Sequence, residues 1–313
     1  MSYLHYGYGF EFKSNVEIFG LRSGSTMSLV DLIPIELNFF YKSYDLPSKR
    51  EHSLYRSTEK CHDELYLRPK KITDANRSIY TVNFFGKITY VIERNAVAVY
   101  TRDMNMFIST FFNIPMSVLL ILNKRILLHC SAFMRGSNLF PLSADKGHGK
   151  STLTAYAVTQ GDKLFCDDTL PVLLKNGELY VAPATTHIKL NLDSCKQLGI
   201  ENHMGYKKNI TGKIFIEKDF SISLTPLRSL YFVSRRGNNT SLISIGSKIM
   251  SRTLILGSVV GISWLDTVLR HKVVFSQIYD ALCNDVALHK FSMEFGWDKL
   301  QANYAQLLAH QES

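Results

Sequence analysis

The sequence predicts a mixed α/β fold of α+β character, with a β-rich N-terminal domain over residues 1–110 and an α/β domain over residues 111–313. The second domain is expected to hold a mixed sheet and to end in helices. Three observations carry this. The first hundred residues alternate apolar and polar side chains with the period of strands. Near the middle, a short apolar run leads straight into a glycine-containing loop and then a helical pattern. From residue 248 onward the pattern is largely helical, broken by one strand pattern at residues 286–292.

Residues 3–12 read as one strand of alternating aromatics and glycines. Residues 33–41 read as another, with Ile33, Ile35, Leu37 and Phe39 on one face. Residues 42–76 are polar and rich in Lys, Arg, Glu and Ser, which predicts a long loop with a short strand at residues 64–67. A hairpin follows over residues 78–85 and 87–93, turning at Gly86, and then a strand at residues 97–100. The apolar run at residues 106–122 is interrupted by Asn113, Pro115 and Ser117. A membrane-spanning helix needs about 20 mostly apolar residues, so the run predicts a core helix started by Pro115, with a membrane span as the alternative.

In the second half, residues 126–134 read as a strand carrying His129, and residues 139–142 as the strand that feeds the central loop. Residues 150–160 predict a helix ended by Gly161, and residues 164–166 a buried strand that stops at Asp167-Asp168. Asn176-Gly177 marks a type I′ hairpin within residues 171–181. Residues 187–190 read as strand and 193–198 as a short helix closed by Gly199. The basic, aperiodic residues 201–213 read as a surface loop, and strands follow at residues 213–216, 229–234 and 241–245.

The chain has 313 residues, ample for a buried core and for two domains. Hydrophobic residues make up 46% of it and aromatics 12%, which excludes a disordered chain. The formal net charge of +9 favours anionic partners, among which nucleotides and acidic peptides rank beside nucleic acid. The aromatic interleaving of a nucleic-acid platform is missing around the basic pairs Lys207-Lys208 and Arg235-Arg236, so nucleic acid is not expected as a partner, and neither is membrane. The five cysteines are widely spaced and form no C-x-x-C pair, which predicts buried thiols in a reducing compartment. The N-terminus lacks the features of a signal peptide, and a cytoplasmic location is expected.

The central loop reads Ala144-Asp145-Lys146-Gly147-His148-Gly149-Lys150-Ser151-Thr152. Strand, glycine-bearing loop and helix N-terminus in this order make a phosphate cradle, because successive backbone N–H groups form an anion-binding nest and the helix dipole adds to its field. The candidate phosphate-binding residues are therefore Gly147, His148, Gly149, Lys150, Ser151 and Thr152. Lys150 would reach the β- and γ-phosphates, and the Ser151 hydroxyl would take one position on Mg²⁺. The usual pattern opens with glycine where this chain has Ala144, which a methyl group permits only if the backbone stays at negative φ. The plain alternative is a glycine-rich turn capped by Ser151.

Asp167 and Asp168 end a strand that directly follows the loop helix. Carboxylates there can hold Mg²⁺ and accept the proton of an attacking hydroxyl, and neighbouring acids raise one another's pKa, which suits a general base. A solvated turn is the alternative. His129 would come near the phosphates if its strand pairs in a hairpin with the loop strand; otherwise it is a core histidine. Lys207 and Arg235 are candidate substrate-binding residues, arginine being the better bidentate grip. Zinc-like ligand spacing and a strained Gly-x-Ser-x-Gly turn are both missing from the sequence.

Taken in order, His129-Cys130-Ser131-Ala132, the loop ending in Gly147-His148-Gly149-Lys150-Ser151-Thr152, and Leu164-Phe165-Cys166-Asp167-Asp168 resemble the HPr serine kinase/phosphorylase superfamily. Tyr6-Gly7-Tyr8-Gly9-Phe10 and Pro226-Leu227-Arg228-Ser229-Leu230-Tyr231 are similar to segments of its stand-alone members, which include the lasso peptide kinases. The motifs span residues 125–245, and the flanks agree only in pattern. The resemblance implies an HPr-kinase-like phosphate-loop domain, ATP and Mg²⁺ as cofactors, and a ribosomally made precursor peptide as partner, phosphorylated on its C-terminal serine. It places Lys150 on the nucleotide, Ser151 and Asp167 on the metal, Asp168 as catalytic base and His129 near the phosphate. A homo-oligomer is a further expectation. The alternatives are an HPr-type protein kinase or small-molecule kinase and a non-catalytic nucleotide-binding regulator.

Overall fold

In the computed structural model, residues 2–24, 32–42, 65–71, 78–84, 86–200, 207–208, 214–217, 223–234, 239–260 and 272–312 are described. The fold is mixed α/β and divides into two units, Met1–Ile126 with Val260–Phe275 and Leu127–Val259 with Ser276–Ser313. The sequence expectation drew the boundary after residue 110; the division falls after Ile126. The reason is local: the helix ending at Leu122 buries eight side chains, and the Asn123 side-chain Nδ2 behind it donates to the Arg94 carbonyl at 2.7 Å.

The first unit is built on an eight-stranded sheet. Its strands are β1 (Tyr3–Gly7), β2 (Phe10–Ser14), β3 (Arg22–Ser23), β4 (Ile33–Phe40), β5 (Leu65–Lys71), β6 (Ser78–Phe84), β7 (Ile88–Ile92) and β8 (Ala96–Thr101), ordered β3-β1-β2-β4-β8-β7-β6-β5. Where the sequence suggested one strand over residues 3–12, the chain folds into the β1–β2 hairpin. Tyr8 and Gly9 turn it at φ +59° and +72°. A tyrosine is uncommon in that region, and Arg125 holds it there: its guanidinium donates to the Tyr8 and Gly9 carbonyls at 3.0 and 2.9 Å.

Two helices follow, α1 (Met104–Thr110) and α2 (Ile114–Leu122). The sequence expectation contained only the second. Asp103 caps α1 by accepting from the amides of Asn105 and Met106. Among the described residues no single helix is long and apolar enough to cross a membrane; α1 and α2 together pass by length and composition, at a bend of 59°.

The second unit carries the central loop. Residues read as one strand at 126–134 form two, β9 (Arg125–Leu128) and β10 (Cys130–Arg135). His129 separates them because its amide donates to the Ser258 carbonyl at 2.6 Å. Next come β11 (Asn138–Ser143), α3 (Lys150–Thr159), β12 (Lys163–Cys166), β13 (Leu170–Lys175), β14 (Glu178–Val181), β15 (His187–Leu190), α4 (Leu192–Gln197), β16 (Lys207–Lys208), β17 (Ile214–Glu217), β18 (Thr225–Pro226) and β19 (Ser229–Ser234). The chain ends with β20 (Ser241–Ser244), α5 (Lys248–Ser258), α6 (Lys272–Asn284), β21 (Ala287–Ser292) and α7 (Leu300–Glu312). The hairpin expected at Asn176-Gly177 joins β13 to β14, with both turn residues at positive φ, +53° and +83°.

The main sheet of this unit has the order β12-β10-β11-β19-β21-β20. Helices α3 and α7 cover one of its faces. Leu153 and Ala157 of α3, and Leu300, Tyr304 and Leu307 of α7, recur at helical spacing. They pack on Phe133, Phe140, Tyr231 and Phe291 of the strands. The rings of Phe133 and Phe140 stack at 4.9 Å between centroids.

Strand direction decides where chemistry can gather. β11, β19 and β21 are parallel neighbours, and β12 runs the same way because both it and β11 pair antiparallel with β10. The carboxyl ends of β11, β12 and β21 therefore share one edge with the start of β10. Open α/β sheets bind ligands at that edge.

Candidate functional site

At the carboxyl end of β11 the chain enters the central loop. Gly147 and Gly149 take φ of +88° and +91°, which a residue with a Cβ adopts only under strain. Gly149 is also the N-cap of α3 and gives its first-turn amides no side-chain cap, leaving them oriented toward the loop's concave side. Among the described residues the non-glycine residues at positive φ are Tyr8, Lys124, Asp168 and Asn176, and Ala144 is not one of them. The alanine thus satisfies the condition under which it can replace glycine. Its carbonyl accepts the Lys150 ammonium at 2.7 Å, and Lys150 itself is 6% exposed. His148 Nδ1 lies 3.2 Å from the Asp145 carbonyl oxygen.

β12 delivers the two aspartates to the same edge with opposite environments. Asp167 is 1% exposed; its Oδ1 accepts from the Ser131 hydroxyl at 2.6 Å and its Oδ2 from the Lys189 amide at 2.8 Å. Asp168 is half-exposed and sits at φ +75°, a conformation that costs a non-glycine residue on the order of 1–3 kcal/mol and clusters at functional sites. Its Oδ1 lies 3.3 Å from His129 Nε2, and its Oδ2 accepts the Lys189 ammonium at 3.1 Å. The raised pKa expected of two adjacent acids is not what Asp168 has: burial raises its carboxyl, but the Lys189 charge and then the His129 contact outweigh that and hold the group well below the usual carboxylate range.

One cleft of about 420 Å³ joins these parts. Gly147, Gly149, Lys150, Ser151 and Thr152 line it on the loop side, and His129, Asp168 and Lys189 on another. A third wall comes from Asn191, Asp193 and Ser194 at the start of α4 and from the segment between β21 and α7. Asp167 and His148 are not among the lining residues. The sequence reading therefore has His129, Lys150, Ser151 and Asp168 in one cleft, with Asp167 directly behind it. Lys207 falls in β16, and Arg235 lies outside the described residues.

Lys189 was missed by the sequence reading. A lysine between Ile188 and Leu190 in a short apolar strand reads as the outward-facing position of an alternating pattern, and only the fold shows that it faces Asp168. Cys130 and Cys166 are buried, which pushes both thiols well up; they are packing residues, in keeping with the buried thiols expected from the sequence. Removing the Lys189 charge has a calculable sign. In Lys189→Met the Asp168 carboxyl should titrate at a higher pH, moving back toward the ordinary aspartate value of about 3.9. A ¹³C NMR titration of the Asp168 carboxyl would read this, and an unmoved midpoint would refute the pairing.

No family model matches the chain, and no curated protein sequence matches it. Among solved structures, the HPr(Ser) kinase/phosphatase from Coxiella burnetii is similar at a TM-score of 0.32 and 12% identity, over 59% of this chain and 95% of that one. Similarity at that level carries no argument about function. What the geometry itself defines is a class of site: a phosphate-loop-like turn and a charged Asp–His–Lys group facing each other across one sheet edge.

Proposed function

We propose that the second unit is an ATP- and Mg²⁺-dependent kinase that phosphorylates a serine hydroxyl of a peptide, the C-terminal serine of a lasso peptide precursor. The observation that carries this reading is the shared cleft, in which Lys150 and the Gly147 to Thr152 backbone stand opposite Asp168. Phosphoryl transfer asks little covalent chemistry of a protein and depends on positioning and charge stabilisation. Loop amides and the Lys150 ammonium supply the positive field around the phosphates. Asp168, ionised at any working pH, accepts the proton of the acceptor hydroxyl, while His129 and Lys189 orient it.

Magnesium keeps several waters and takes few protein donors besides substrate phosphates. Ser151, whose hydroxyl belongs to a residue lining the cleft, fits that habit and would hold the ion, which when bound neutralises charge on the phosphate oxygens. Asp167, with both oxygens engaged by Ser131 and the Lys189 amide, is assigned a positioning role in place of the metal contact expected from the sequence. The peptide acceptor is what the resemblance of the motifs around His129, the loop and the aspartates to the lasso peptide kinases implies. The test is incubation of enzyme, MgATP and a serine-terminated precursor peptide, with mass spectrometry for one added phosphate. An alanine-terminated peptide should gain none. If ATP binds but neither this peptide nor any other hydroxyl acceptor is phosphorylated, the kinase reading falls and a nucleotide-binding regulator stands in its place.

A further inference from the structure

The segment between β21 and α7 holds two solvent-exposed aromatic residues inside the same cleft as the phosphate loop. Phe295 is 75% exposed and Trp297 39%, and both line the cleft. Aromatic side chains that keep apolar surface inside a cleft offer that surface to a ligand. We infer that Phe295 and Trp297 form the stacking site for the nucleobase of the bound nucleotide, an inference that rests on the kinase reading above and extends it.

Three features of the segment support this. It is built to hold its shape. Asn303, 1% exposed on α7, donates through its amide nitrogen to the Glu294 carbonyl at 3.1 Å, and its amide oxygen accepts from the Glu294 amide at 3.2 Å. The Thr240 hydroxyl donates to that same oxygen at 2.7 Å. Gly296, between the two aromatics, takes φ +140°, a backbone shape that L side chains rarely adopt. The glycine and the asparagine together fix where the two rings stand.

Sheet order then assigns this flank. On one side of β11, which feeds the phosphate loop, lie β10 and β12 with His129 and Asp168. On the other lie β19 and β21, the latter leading into Phe295 and Trp297. In-line transfer sets the acceptor hydroxyl and the leaving nucleoside diphosphate on opposite sides of the moving phosphoryl group. With the acceptor beside Asp168, the nucleoside half extends toward the aromatic flank. Aromatic faces are also the chemistry a base prefers: stacking is worth about 1–3 kcal/mol per base and needs no edge hydrogen bonds.

The chain has two tryptophans, so a Trp264→Phe background leaves Trp297 as the sole reporter. In that background MgATP should quench the fluorescence. Magnesium tripolyphosphate, which has no base, should compete with MgATP and cause no quench. Phe295→Ala and Trp297→Ala should each weaken MgATP by about tenfold or more and leave the tripolyphosphate affinity unchanged, with Trp297→Phe recovering much of the loss. Variants that bind MgATP like the parent, that raise only the KM of the peptide, or that lose tripolyphosphate and ATP alike would each overturn the stacking assignment while the phosphate-loop reading survives. Failure of the parent protein to bind either compound would instead remove that reading, and this inference with it.

Discussion

Replacing Lys150 by methionine is expected to cut kcat/KM for phosphoryl transfer by a factor on the order of 10² to 10³ and to weaken MgATP binding. The structure gives the reason. A buried ammonium is expensive, yet this chain holds one at 6% exposure, donating to the Ala144 carbonyl at 2.7 Å. A triphosphate in the cleft would give that charge short, charge-assisted hydrogen bonds to phosphate oxygens. Methionine keeps the stem's volume and rotamer freedom, so the packing under α3 should hold. Far-ultraviolet circular dichroism and the thermal midpoint should stay near those of the parent, or rise, because the substitution removes a desolvated charge. Calorimetric titration with MgATP reads the effect directly. Undiminished affinity in Lys150→Met would mean that the loop does not bind phosphates.

The parts of this site that were legible in the sequence are those in which backbone geometry dictates residue type. Gly147, Gly149, Lys150 and Ser151 stand out because left-handed turns, close anion approach and a helix start each admit few side chains. Asp168 was legible from its place at the end of the strand after the loop helix. Lys189 was not, because its meaning comes from a contact with Asp168 across 21 positions, and strand periodicity carries no such information. The β1–β2 turn was hidden for a similar reason. Tyr8 violates the usual turn chemistry, and the guanidinium that holds it belongs to Arg125, 117 positions away. Helix α1 is different: the Asp103 cap was present in the sequence, but the apolar run on either side of residue 113 obscured a break between two helices. The segment around Phe295 and Trp297 has no periodicity, so only a three-dimensional cleft reveals which loop it faces.

Asp168→Asn is expected to lower kcat by a factor on the order of 10² to 10⁴, the usual contribution of a positioned general base, while MgATP affinity changes little. Asparagine is the least disruptive replacement here. It has the same shape, it tolerates the left-handed backbone that Asp168 adopts at φ +75°, and its carbonyl oxygen can still accept from Lys189. What it loses is the negative charge and the ability to take a proton. The pH dependence follows the same logic. With the Asp168 carboxyl held below the ordinary range, its ionised form persists in acid, so no acid limb from this group should appear in the parent's rate profile near neutrality. The same depressed pKa means that the carboxylate's contribution to stability is complete above the unfolded-state value of about 3.9. It is lost as pH falls from there toward the folded-state value, and because the side chain is half-exposed, solvent screens it to a modest effect. Asp168→Asn should therefore flatten that part of the acid unfolding curve without lowering neutral-pH stability much. The combination separates a base from a scaffold. Lost turnover with intact fold and intact nucleotide binding is the signature of proton transfer, whereas retained turnover would strip Asp168 of its role and move the search for the base to His129, whose Nε2 lies 3.3 Å from Asp168 in the same cleft.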